Sequence, residues 1–236
     1  MTSNSSKGKT LRFAVASDLH VFEKPKDPKA ADNDPSALAI GEDEADSVRH
    51  PIAALLKLIE DEKLRADALL CPGDLGDQAS TAGIQYAWAK LVQVQKKLKA
   101  KDLFATVGNH DVDSRSVRNS HDPRGFLQTL RPNFPCSRVG EVDKFWSRHF
   151  VVIDKPDFRI VLLNSSAFHG YEGEHAHGRV SEHTLSLLRE ELSKKPDKTV
   201  NVLMCHHHPM MHSDRKLGDH DTMKQGKELL DMLTDD

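Results

Sequence analysis

An α/β fold, with parallel strands in its first half and a mixed sheet beyond, is the architecture this sequence predicts. Two observations carry that reading. Short apolar runs at 11–16, 68–71, 103–107, 149–153, 159–163 and 200–205 have the length and content of buried strands. Between several of them, apolar residues recur at helical spacing, and strand–helix–strand alternation is how parallel strands are connected. Val48, Ile52, Leu55, Leu56 and Ile59 define the first helical stripe, and Ile84, Trp88, Leu91 and Leu98 the second. Leu185, Leu188 and Leu192 follow Ser181, whose hydroxyl suits a helix N-cap. A last amphipathic pattern runs through Met223, Leu230 and Leu233. Only Lys155-Pro156-Asp157 splits the runs at 149–153 and 159–163, so these form a hairpin and make the sheet there mixed.

At 236 residues the chain can bury a substantial core as one domain. Residues 1–10 read as a disordered polar tail and 11–236 as the domain, with surface insertions at about 21–47 and 112–147. The first insertion is rich in Asp, Glu, Lys and Pro; the second is irregular and carries Arg115, Arg118, Arg124, Arg131 and Arg138. A net charge of −3 gives no electrostatic case for nucleic acid as an obligate partner. No apolar run approaches the ~18 residues that span a bilayer, and the polar start has no signal-peptide core. Cys71, Cys136 and Cys205 show no metal or disulfide spacing, so a reducing cytoplasm is the expected setting. Oligomeric state has no signature in the sequence.

The fourteen His are the compositional outlier, and their placement is informative. The first strand finishes in Ser17-Asp18-Leu19-His20. Alternation along an extended chain would aim Asp18 and His20 at one point. The second strand finishes in Pro72-Gly73-Asp74-Leu75-Gly76-Asp77, and the third in Gly108-Asn109-His110-Asp111. The run at 200–205 is followed by His206-His207-His208-Pro209. Ligands of open α/β sheets bind beyond the carboxyl ends of the strands. Asp, His and Asn gathered at that edge make an oxygen- and nitrogen-rich metal site. Asp-x-His alone is a common pairing and Gly-Asp a common turn; their ordered conjunction, each directly after a strand, is what points to chemistry.

That order of motifs, Asp-x-His, Gly-Asp-x-x-Asp, Gly-Asn-His-Asp and His-His-Pro, resembles the calcineurin-like metallophosphoesterase superfamily across residues 11–209. The resemblance implies a four-layer sandwich of two mixed β-sheets flanked by helices. It implies two divalent metal ions, of Mn, Fe or Zn. Asp18 and His20 would hold the first, Asp74 would bridge both, and Asn109 would bind the second. The His two before Pro, His207, would be the last ligand here, with His206 the alternative. His110 would be the catalytic acid at the leaving group. The implied activity is hydrolysis of a phosphate mono- or diester by a hydroxide shared between the metals. The implied substrate is a small molecule or nucleotide rather than nucleic acid.

Further readings accompany that resemblance. Asp111 either orients the His110 ring or makes a turn hydrogen bond, and Asp77 caps the helix that follows it. Gly178-Arg179-Val180-Ser181 resembles a segment of cyclic-nucleotide phosphodiesterase-like members, whereas His175-Ala176-His177 reads as loop, with a substrate-facing or third-ion role as its alternative. His169, His212 and His220 read as surface or cleft-rim residues. The family's final Gly-His-x-His is not found after His207, so a fragment of a longer protein with a weakened metal site is expected, a naturally short member being the alternative. A nuclease, or a catalytically impaired binding module on the same fold, are the rival functions.

Overall fold

The computed structural model describes residues 10–24, 36, 38–41, 44–116, 120–211 and 222–234. His212, His220, Arg118 and most of the expected N-terminal tail lie outside these. Strand β1 (Phe13–Val15) leads through helix α1 (Pro51–Asp61) to β2 (Ala68–Cys71), and helix α2 (Thr81–Leu98) leads on to β3 (Asp102–Ala105). The three strands pair in parallel in the order β1-β2-β3. Local chemistry sets the helix starts. Pro51 opens α1 behind a His50 cap whose Nδ1 accepts from the Ala53 N–H, and the Ser80 hydroxyl accepts from Gly83 N–H at the head of α2.

Helices α3 (Pro123–Thr129) and α4 (Val139–Arg148) then precede β4 (Phe150–Asp154) and β5 (Arg159–Leu163). These last two form the expected hairpin, antiparallel from Phe150↔Leu163 to Asp154↔Arg159. The two-residue β6 (Gly178–Arg179), helix α5 (Glu182–Ser193), β7 (Asn201–Met204), β8 (Met223–Lys224) and α6 (Gly226–Thr234) complete the order. β7 pairs with β5 in parallel, so the second sheet, β4-β5-β7, is the mixed one, and the described strands of the first sheet are all parallel.

The layers follow from side-chain alternation. In β4 and β5, Val151, Ile153, Ile160 and Leu162 join the core shared with β2, β3, α1 and α2. Their neighbours Phe150, Val152, Val161 and Leu163 face the other way, onto Leu188 of α5 and Leu229 of α6. Both faces of the second sheet are therefore buried, which produces the helix–sheet–sheet–helix sandwich. The two sheets are tied together at the end that carries the motifs: Thr106 Oγ1 donates to the Leu163 carbonyl at 2.6 Å, and Ser166 Oγ to that of Val107 at 3.0 Å. No helix among the described residues is long and apolar enough to cross a membrane.

Three local expectations need correcting. The stretch 112–147, read as irregular, holds α3 and α4, and α4 buries Phe145 completely. Met223 belongs to β8 and the last helix begins only at Gly226. The stretch 21–47 is not surface throughout: Val21, Phe22, Leu38 and Ala39 are buried, with Phe22 bridged to Ala39 and Val21 to Gly76.

Candidate metal centre

The loop after β1 continues the parallel pairing past the strand. The N–H groups of Asp18, His20 and Val21 donate to the carbonyls of Gly73, Asp74 and Leu75 at 3.2, 3.0 and 3.0 Å. Asp18, His20 and Asp74 all adopt left-handed backbone, with φ of 55°, 44° and 55°. Such residues cost on the order of 1–3 kcal/mol each and persist where their surroundings over-determine them. Asp18 and His20 thus converge because the chain has left the strand, not through strand alternation. Gly108 makes the same convergence possible from the β3 side, since a Cβ there would lie 2.0 Å from Asp74 Oδ1.

Asp74, 2% exposed, is the meeting point. His20 Nε2 lies 3.4 Å and His206 Nε2 3.5 Å from the same oxygen, Oδ2, while Oδ1 accepts the His110 backbone N–H at 2.8 Å. Asp18 Oδ1 stands 4.0 Å from His20 Nε2, and Asn109 Oδ1 2.9 Å from His206 Nε2. Two groups of donor atoms, each within 4.8 Å, result: His20, Asp74 and His110, and Asp18, Asp74 and His206. Asp74 is common to both.

His207, expected as the ligand, points elsewhere. Its backbone N–H donates to Ser165 Oγ at 3.2 Å, its Nδ1 lies 2.9 Å from the same hydroxyl, and its ring stacks on His169. His206, the alternative, stands beside Asp74 and Asn109 in its stead. The chain turns directly after β7, so neighbouring histidines face different ways and a His-His-His run does not reveal which one faces the site.

Of the two remaining aspartates, Asp111 follows the turn hydrogen-bond alternative and Asp77 departs from the cap expected of it. Asp111, fully buried, does not reach the His110 ring; its carboxylate accepts from the backbone N–H groups of Asp74, Leu75, Gly76 and Gly108 at 2.7–3.2 Å. Asp77 does not cap α2, which Ser80 does; its Oδ1 lies 2.9 Å from His110 Nδ1 and 4.0 Å from His20 Nδ1. The His110 and His20 rings meet edge to face, 4.5 Å between centroids.

A cavity of about 700 Å³ opens beside this cluster, lined by Asp18, Asn109, Arg115, His169, His175 and His206 among others. A second, of about 360 Å³, is lined by Gln78, Asn109, His110, Arg115 and His175. His175 faces both, so the substrate-facing alternative suits it better than plain loop. His169 is 2% exposed and lies in the cavity wall rather than on its rim.

The residues present fit a pair of divalent ions. Burial, ahead of all other causes, pushes the Asp74 carboxyl up to about 7, and a cation at this point would favour its ionised form. Burial also lowers His20 and His206, and a neutral imidazole is the form that binds metal. Carboxylate, imidazole and amide oxygen together suit borderline and hard divalent ions.

With fold and geometry in hand, the class of protein follows. Residues 11–233 match the Calcineurin-like phosphoesterase family, and the chain belongs to it. Among curated proteins it is similar to a 3′,5′-cyclic adenosine monophosphate phosphodiesterase, CpdA, of Haemophilus influenzae, 26% identical over 181 residues; that match covers 77% of this chain and 54% of the relative. The chain thus spans about half the length of that curated relative. Among solved structures, a dimetal phosphatase from Danio rerio shares the fold, with a TM-score of 0.54 and 15% identity over 94% of this chain and 77% of that one.

Proposed function

We propose that this chain hydrolyses a phosphate mono- or diester of a small molecule or nucleotide. Asp18, His20, Asp74, Asn109 and His206 would hold two divalent ions, and His110 would serve as the general acid. The observation that supports this most directly is the pair of donor groups sharing Asp74 at the strand ends. When bound, two such ions withdraw charge from phosphoryl oxygens and make water a strong nucleophile at neutral pH. The chain's own part is positional. Asp74 and Asp18 set where negative charge meets the ions, and Asn109 brings a neutral oxygen to 2.9 Å from His206 Nε2, whose Nδ1 donates to the Pro72 carbonyl at 3.2 Å. Asp77 engages His110 at Nδ1, leaving Nε2 free to pass its proton to the departing alkoxide oxygen.

A small ester suits the cavity better than a polynucleotide. Of the arginines between 115 and 138, Arg124 donates to the carbonyls of Ala167 and His169, Arg131 to that of Leu130, and Arg138 pairs with Glu141. Arg115 lines both cavities and would meet anionic or polar parts of the substrate. A cyclic nucleotide is one such ester, and the CpdA relative makes it the first to test. A cytoplasmic setting belongs to the same reading, since all three cysteines are free thiols. The test is turnover of bis(p-nitrophenyl) phosphate, p-nitrophenyl phosphate and 3′,5′-cyclic AMP with Mn²⁺. Metal-dependent cleavage abolished by EDTA is expected. Two bound ions with no turnover of any ester would instead make the chain a binding module.

A further inference from the structure

Asn109 and His206 meet through one 2.9 Å contact, and each is backed by a further side chain. Behind Asn109, Ser114 Oγ donates to the Asn109 carbonyl at 2.8 Å, and His169 Nδ1 lies 3.0 Å from that same hydroxyl. Because the serine proton is spent on Asn109, the imidazole is the donor, which fixes the proton of His169 on Nδ1. Behind His206, the His207 ring stands edge-on at 5.0 Å between centroids. His207 in turn stacks on His169, 5.0 Å apart and 19° from parallel. The chain of contacts therefore closes on itself: Asn109, Ser114, His169, His207, His206 and back to Asn109.

The ring is held rigidly from outside. A Cβ on Gly178 would lie 2.3 Å from His207 Cγ, so that backbone is pressed flat against the imidazole. Ser165 holds His207 Nδ1 at 2.9 Å. Arg124 grips the His169 carbonyl, and Gly170 N–H donates to the Ser114 carbonyl at 2.9 Å. His169 and His207 are 2% and 6% exposed, so packing fixes their rings as well as hydrogen bonds do.

We infer that His169 is a positioning residue that sets Asn109 for the ion shared with Asp74 and His206, acting through Ser114. This rests on the proposed dimetal reading and adds to it a determinant about sixty residues away in sequence. His169 is in neither donor group; it would act on the Asn109 main chain, from which the ligand oxygen projects. Partners of this kind change metal affinity by about 10–100-fold.

The experiment compares His169→Phe, which keeps the stack and loses the donor, with His169→Asn, which keeps an N–H donor near the Nδ1 position and loses the stack. Ser114→Ala and the His169→Phe/Ser114→Ala double variant complete the set. Mn²⁺ binding to each full chain is measured by calorimetry, with no substrate present. We expect His169→Phe to weaken one of two Mn²⁺ sites about 10-fold or more and leave the other unchanged, with His169→Asn much nearer wild type. Ser114→Ala should match His169→Phe, and the double variant should be no worse than either single one, since both cut one path. Two wild-type sites with both unchanged in His169→Phe would overturn the inference alone, as would equal losses in Phe and Asn variants or additive losses in the double variant. A wild-type chain that takes up no Mn²⁺ would overturn the dimetal reading and this inference with it.

Discussion

On the first-sheet side of the centre, Asp18, His20 and Asp74 occupy strained loops whose shape depends on backbone hydrogen bonds. Four N–H groups of the β2 and β3 loops converge on the buried carboxylate of Asp111. On the second-sheet side, His206 donates from Nδ1 to the Pro72 carbonyl and meets the His207 ring, which His169 and Ser165 hold in turn. One wall hangs on a single acceptor group and the other on shape shared among several side chains. The first should fail steeply when one atom type is changed. The second should tolerate isosteric changes and yield to loss of a donor or of volume.

Asp111→Asn breaks the first wall most severely. An amide offers one oxygen and sets N–H against N–H for the remaining donors. Leaving about two buried amides unpaired costs about 4 kcal/mol, to be read as a shift of the urea midpoint. A variant as stable as wild type would show that the four contacts are not what holds the loops.

The second wall should reveal itself through pH. Burial lowers His169 from 6.5 to about 4 and His207 to about 2, so the folded chain resists their protonation while the unfolded chain accepts it. The unfolded state then binds more protons below about 6.5, and stability falls as pH falls through that window. For His169 alone the loss between pH 6.5 and 4 is on the order of 3 kcal/mol. His169→Phe should flatten the slope in urea titrations of the metal-free chain by about that amount. An unchanged slope would mean the ring titrates as it does in water.

Where the walls meet, His110→Ala should cut turnover by about 10²-fold or more with metal content nearly intact. An ester with a very good leaving group should partly rescue it. Loss of the ions instead would make His110 a ligand, as its place within 4.8 Å of His20 and Asp74 allows. The smallest effect is expected for Asp77→Asn, about 10-fold in turnover, with the metal affinity of the chain unchanged.

What was legible in the sequence divides along the same line. β2, β3 and the motifs after them could be read because a parallel strand is a plain apolar run and polar chemistry begins where it stops. The identity of the inward histidine could not, because chain reversal after β7 decouples residue parity from direction, and Ser165, far away in sequence, captures His207. For Asp111 the sequence leaves a turn hydrogen bond and a contact with the adjacent His110 both open, and it does not reveal that Asp77, from the loop after β2, reaches that ring. Helix α4 was hidden by its arginine- and proline-rich approach, although Val142, Phe145 and Trp146 carry a helical spacing that a narrower window would have caught. His169 gave no signal, since the Ser114 hydroxyl that it faces lies on another loop, far away in sequence.

The central claim is that Asp74 serves two ions at once. Elemental analysis and calorimetric Mn²⁺ titration of wild type and Asp74→Asn test it most directly. The account predicts two ions per wild-type chain and loss of both in the variant, because one carboxylate belongs to both donor groups. Loss of a single ion, or two ions retained at wild-type affinity, would contradict it.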